Sequence, residues 1–132
     1  MKKVVFDSHA ILKFSQDEKG ADKIEEILTL SQKGKIESFI NLINLGEVYY
    51  IMIRRTGLES AKRYLESFYQ LTIKVIIPSD EIIFSAAEIK ANYAISYADC
   101  FVAATALKYD ASVITGDPEF KKLENLMKIE WI

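Results

Sequence analysis

One cysteine, one histidine, one tryptophan and two prolines are all that the 132 residues contain of those types, and neither sign of charge dominates: 17 Lys and Arg stand against 19 Asp and Glu. Each shortage excludes something. The lone Cys100 can form no internal disulfide and no cysteine-based zinc site. A formal net charge of −2 leaves no bulk excess of cations to attract nucleic acid. A polyanionic partner would therefore need local positive charge, from a few Lys and Arg or from a bound metal. The opening "MKKVVF" starts like a secretory leader, but Asp7, Ser8 and His9 interrupt it before an apolar core can form. No later run approaches the length of a membrane span. A cytoplasmic chain is the expectation.

What is present is the composition of a folded protein. Half the residues are apolar and 27% are charged, values of a packed chain rather than a disordered one. Internal repeats, low-complexity tracts and linkers are lacking. A single domain over residues 1–132 is expected, large enough to bury roughly 68% of its unfolded surface.

Short β-branched runs alternate with helical periodicity. Val4–Phe6 is a strand stopped by Asp7. From Asp22, Ile24, Ile27 and Leu28 share a helical face until Gly34. "KIESFI" suits a second strand. Leu45, Val48, Tyr49 and Met52 define a helix closed by Gly57, and Leu58, Ala61, Leu65 and Phe68 define the next. "IKVIIP" reads as a third strand. Ser79 caps a helix to about Asn92, with Ile82, Ile83, Ala86 and Ala87 inward. "YADCFVAATALKY" is a further helix, "SVIT" a fourth strand, Pro118–Leu126 a short helix and "KIEWI" a fifth strand. Such alternation predicts a parallel sheet in an α/β fold covered by helices on both faces.

Four acids then fall in one kind of place. Asp7 directly follows the first strand, and Asp117 in "VITGDPEF" follows the fourth by two residues. In an open parallel sheet all strands end at one edge, where such folds place ligands. "NLGE" and "SYAD" put Glu47 and Asp99 three residues after Asn44 and Ser96, the capping-box spacing. Asp117, ahead of Pro118 and Glu119, is also a natural N-cap. Two readings stay open at this point: each acid satisfies free backbone N–H groups, or the acids gather at one site. Asp7 is the hardest to explain as a cap, since a carboxylate closing a buried strand needs a partner or water.

Gathered together, four carboxylates repel one another and raise each other's pKa values. A divalent cation relieves that repulsion. An all-oxygen donor set suits Mg²⁺ or Mn²⁺ over zinc. One or two such ions, about 4 Å apart if paired, can activate water and neutralise a phosphate, which points to phosphodiester hydrolysis.

With those residues in place, the whole chain resembles the PIN-domain nucleases, above all the VapC-type toxins of toxin–antitoxin pairs. The likeness rests on "VVFDSHA", "NLGEVYY", "SYADCFVAATAL" and "VITGDPEF", in that order and approximate spacing. It implies a Rossmann-like three-layer α/β/α sandwich with a central parallel five-stranded sheet. It implies metal binding by Asp7, Glu47, Asp99 and Asp117, with Thr115 as a catalytic hydroxyl and Ser8 in a lesser polar role. It also implies an RNA substrate cut with Mg²⁺ or Mn²⁺, a homodimer, and a small antitoxin that inserts a segment near the acidic cleft. Glu119, where relatives often carry Asp, stands outside the metal set. His9 reads as an exposed or capping side chain, and Cys100 as small core filling.

Arg54, seven residues after Glu47, shares its helical face. With Arg55, Lys13 and Lys90 it is a candidate phosphate contact, though each is ordinary as a solvated surface charge. Tyr49, Tyr50, Tyr64, Phe68 and Tyr69 suit core or dimer contacts better than base stacking. Competing functions fit less well. A haloacid-dehalogenase phosphatase needs a second Asp where His9 stands, and a receiver domain needs an Asp closing the third strand where Pro78 and Ser79 come first. A housekeeping PIN nuclease and a PIN-like binding module remain as alternatives to a toxin.

Overall fold

Val4, Val5 and Phe6 are wholly buried because their strand runs through the middle of a sheet with helices on both sides. The computed structural model describes every residue from Met1 to Ile132. In chain order its elements are β1 (Lys2–Phe6), α1 (Ser8–Ser15), α2 (Ala21–Gln32), β2 (Ile36–Asn41), α3 (Leu42–Thr56) and α4 (Leu58–Phe68). There follow β3 (Lys74–Ile76), α5 (Asp80–Asn92), α6 (Tyr97–Tyr109), β4 (Ser112–Thr115), a 3₁₀ helix (Pro118–Leu123) and β5 (Ile129–Trp131). The five strands are all parallel, in the order β3-β2-β1-β4-β5. This is the expected Rossmann-like α/β/α sandwich.

Side-chain alternation along the strands feeds two cores. Val4, Phe6, Ile36, Ile40 and Ile114 pack under α1–α4 on one face. Val5, Phe39 and Val113 pack under α5, α6 and the 3₁₀ helix on the other. From β1 the chain builds outward through β2 to β3, then crosses back to add β4 and β5 on the opposite flank. The strand order therefore reverses between β1 and β4. The C-terminal ends of neighbouring strands on either side of such a reversal open a crevice, the usual ligand position in this architecture.

Four local expectations are corrected. A helix, α1, follows Asp7 at once, where no element was expected. Its N-cap is Asp7 itself, whose Oδ1 accepts from Ala10 N at 2.7 Å. The cap of α3 is Asn41 rather than Asn44: Asn41 Oδ1 accepts from Ile43 N at 2.9 Å, one residue after β2 ends. The inward face of α5 is Ile82, Ala86 and Ile89, while Ile83 and Ala87 face outward. This i, i+4, i+7 stripe is one helical face, and the exposed pair lies one position beyond it. The helix after Pro118 is 3₁₀ and ends at Leu123.

Candidate active site

The reversal between β1 and β4 sets Asp7 beside the start of the 3₁₀ helix. Asp7 N donates to Ile114 O of the neighbouring strand at 3.4 Å, and the Asp7 side chain is 1% exposed. Its two carboxylate oxygens have different partners. Oδ1 caps α1 through Ala10 N, and Oδ2 accepts from the Thr115 hydroxyl at the end of β4. Thr115 Oγ1 in turn accepts from Asp117 N at 2.9 Å. Asp117 Oδ1 caps the 3₁₀ helix by accepting from Glu119 N at 3.0 Å, leaving Oδ2 uncommitted. Asp117 thus caps a helix with one oxygen and leaves the other free, whereas both oxygens of the buried Asp7 are engaged.

Asp99 is the third residue of α6. Its N–H donates to Ser96 Oγ at 3.2 Å, the forward half of a capping box. The reverse half, to the Ser96 backbone N–H, is not made, while the Ser96 side chain favours the ionised Asp99 carboxylate. Glu47 lies on the second turn of α3 rather than at a cap, and Ser8 Oγ donates to its Oε1. A buried strut fixes the two helices against each other. Asn44, wholly buried one turn before Glu47, donates from Nδ2 to Ala98 O at 2.9 Å, next to Asp99.

Asp7, Glu47, Asp99 and Asp117 all line one open cleft of about 770 Å³ at the C-terminal edge of the sheet. Thr115 is buried beneath it. Five candidate residues from four separate segments are therefore brought together. The electrostatics follow from the crowding. Burial, opposed by the Thr115 and Ala10 hydrogen bonds and aided by Asp99 and Asp117, raises Asp7 to about 7. Burial and the neighbouring Asp117, with Glu47 and Glu119 adding to them, raise Asp99 to about 6. Carboxyls that hold protons near neutrality are short of positive charge.

The donor set fits a hard divalent cation. It is all oxygen, two of its members are destabilised as anions, and uncommitted oxygens face the cleft. No three acidic, histidine or cysteine side chains close into a ready-made cage.

A family model for the PIN domain matches residues 4–126. The chain belongs to the PIN-domain family. No curated protein matches it. Among solved structures, this PIN domain is similar to the DNA-bound VapBC of Salmonella typhimurium, with a TM-score of 0.77 and 18% identity over 98% of each chain. It is similar to VapBC2 of Rickettsia felis bound to a promoter DNA fragment, with a TM-score of 0.75 and 18% identity over 97% of each chain. It also resembles VapC20 of Mycobacterium tuberculosis, a toxin that cleaves the sarcin–ricin loop, with a TM-score of 0.65 and 14% identity over 83% of this chain and 86% of that one. At these identities the likeness is one of fold.

Besides the four acids, the cleft of this PIN domain holds residues left outside the metal set, among them two of the candidate phosphate contacts, Arg55 and Lys90. Glu119 borders it, as do His9, Ser96 and the two cations Arg55 and Lys90. Arg54, expected on the face of Glu47, turns away and stacks over the Tyr50 ring at 5.2 Å. The cleft follows the Glu47–Ile51–Arg55 row of α3. That i, i+4, i+8 stripe was readable once Tyr50 is seen to draw its own i+4 neighbour aside by a cation–π contact. Lys13 sits beside the turn after β4, where a Cβ on Gly116 would come within 3.1 Å of its Nζ.

Proposed function

We propose that this PIN domain, acting as one unit over residues 1–132, is a divalent-metal-dependent ribonuclease and the toxin of an intracellular toxin–antitoxin pair. The observation carrying the reading is the meeting of Asp7, Glu47, Asp99 and Asp117 in one cleft at the reversal of strand order. These four side chains would hold Mg²⁺ or Mn²⁺. When bound there, the ion supplies positive charge to the scissile phosphate and makes a water more acidic. The reaction is hydrolysis: a water oxygen bonds to phosphorus, the bond to the leaving oxygen breaks, and the water's proton ends on the products.

The protein's own contribution is placement. Thr115 holds Asp7 in one orientation and sets the backbone of Asp117. Ser8 restrains Glu47. Asn44 fixes the spacing of the Glu47 and Asp99 helices. An open cleft admits an extended single strand. The toxin assignment draws support from solved neighbours whose names describe VapBC complexes and a sarcin–ricin-loop-cleaving toxin. With it come a small antitoxin partner and a homodimer.

The test is cleavage of single-stranded RNA in Mg²⁺ or Mn²⁺ by the wild-type chain, Asp7→Asn and Asp99→Asn. Cleavage by the wild type alone, abolished by chelator, is expected. Equal cleavage by all three, or indifference to chelator, overturns the mechanism. Co-purification with a small protein encoded beside it tests the toxin assignment.

A further inference from the structure

Five carboxylates line the cleft: Asp7, Glu47, Asp99, Asp117 and Glu119. An RNA backbone entering it meets repulsion from every side, and the chain as a whole is slightly negative. Only Arg55 and Lys90 bring full positive charge to the lining. They come from opposite layers of the sandwich, Arg55 from the end of α3 and Lys90 from the end of α5. Neither makes an ion pair, although carboxylates surround them. The ion pairs of this chain use Lys2, Lys62, Lys74, Lys108 and Lys122 instead. Lys90 has one polar contact, from Nζ to the carbonyl oxygen of Ile95, another lining residue, at 2.7 Å. An exposed, unpaired guanidinium and an unpaired ammonium at the two walls of an acidic cleft are anion contacts without an anion.

Resting on the ribonuclease reading, we infer that Arg55 and Lys90 are the substrate-binding cations of this site. They grip backbone phosphates on either side of the bond to be cut, so that single-stranded RNA crosses the sheet edge from the α3 wall to the α5 wall. Neither touches the reacting bond. Their loss weakens binding and leaves the chemical step in place. Phosphate contacts carry no base information, so the effect is the same for every sequence.

The probe is a fluorescent single-stranded RNA oligonucleotide of mixed sequence, bound to the full chain carrying Asp7→Asn so that it is not cut. Anisotropy is followed between about 50 and 200 mM salt. Arg55→Ala and Lys90→Gln are each expected to lower the slope of log affinity against log salt by about 0.7, and together by about 1.4. Glutamine keeps a donor for Ile95 O, and Arg55→Lys should restore most of the Arg55 slope, so a folding defect is told apart from a lost charge. Arg54→Ala, altering the residue stacked on Tyr50, should leave the slope unchanged. In cleavage assays on the otherwise wild-type chain, KM should rise with kcat nearly constant. Unchanged slopes for both variants in a chain whose wild type cleaves RNA overturn this inference and spare the nuclease. A wild type that binds through Arg55 and Lys90 yet never cleaves overturns the nuclease and spares the contacts.

Discussion

The Thr115 hydroxyl donates to Asp7 Oδ2 across the β1–β4 seam and accepts from Asp117 N. One short side chain thus orients an acid on the neighbouring strand and anchors the turn carrying another. Thr115→Val keeps the shape and removes both bonds. Unfolding in urea should show a loss of about 1–3 kcal/mol, the usual cost of stranding buried polar partners. The loss should be larger at pH 8 than at pH 5, because the hydroxyl favours the ionised form of Asp7. Thr115→Ser should recover most of it.

Stability without metal should fall as pH rises. Below the unfolded value near 3.8, Asp7 is protonated in both states. Between there and its folded value of about 7, the native state keeps a proton that the unfolded chain has released. Each pH unit in that window therefore removes up to about 1.4 kcal/mol. Asp99 adds the same trend up to about 6. In chelator, Asp7→Asn should be more stable than the wild type at pH 8 and show a shallower pH dependence. Adding Mg²⁺ at pH 8 should raise the wild-type unfolding midpoint and leave that of Asp7→Asn nearly fixed.

Asn44 spans from α3 to the first turn of α6. Asn44→Ala should cost about 1–3 kcal/mol in denaturant unfolding. It should also weaken Mg²⁺ binding, read by calorimetry, because the Glu47 and Asp99 helices are no longer fixed together. Asn44→Asp should be worse at neutral pH, where it buries a charge with no cation beside it.

Gly116 joins β4 to Asp117 at a crowded point. A Cβ there would lie 3.1 Å from Lys13 Nζ, 3.3 Å from His9 Cε1 and 3.3 Å from the Ile132 backbone oxygen. The two side chains can yield, while the oxygen belongs to a residue whose N–H donates to Thr115 O at 3.1 Å and so gives less readily. Gly116→Ala should therefore cost about 1–3 kcal/mol of overpacking, measured by thermal or urea unfolding.

Strong local signals were the legible ones. Ser112–Thr115 and Tyr97–Tyr109 match the sequence reading at both ends, because a β-branched run and a Ser-x-x-Asp start leave few alternatives. The four acids could be gathered from sequence because a parallel sheet forces strand ends to a common edge. Misreadings came where one residue type serves two purposes. Asn41 and Asn44 stand three apart, and either spacing reads as a cap; the end of β2 decides for Asn41, and a tertiary bond to α6 claims Asn44. α1 escaped notice because Asp7 closes a strand and opens a helix at once. Arg55 and Lys90 stood among the four candidate phosphate contacts of the sequence, but that Arg55 rather than Arg54 borders the cleft was not legible, since the two differ only in which neighbour each meets.

Thr115 and Asp7 are separated by 108 positions along the chain, and the seam they close lies at the centre of the sheet. Asp7, Glu47 and Asp99 all precede β4 along the chain, so the cleft is incomplete until β4 is made. A chain interrupted before β4 lacks both the Thr115 clamp on Asp7 and Asp117 itself.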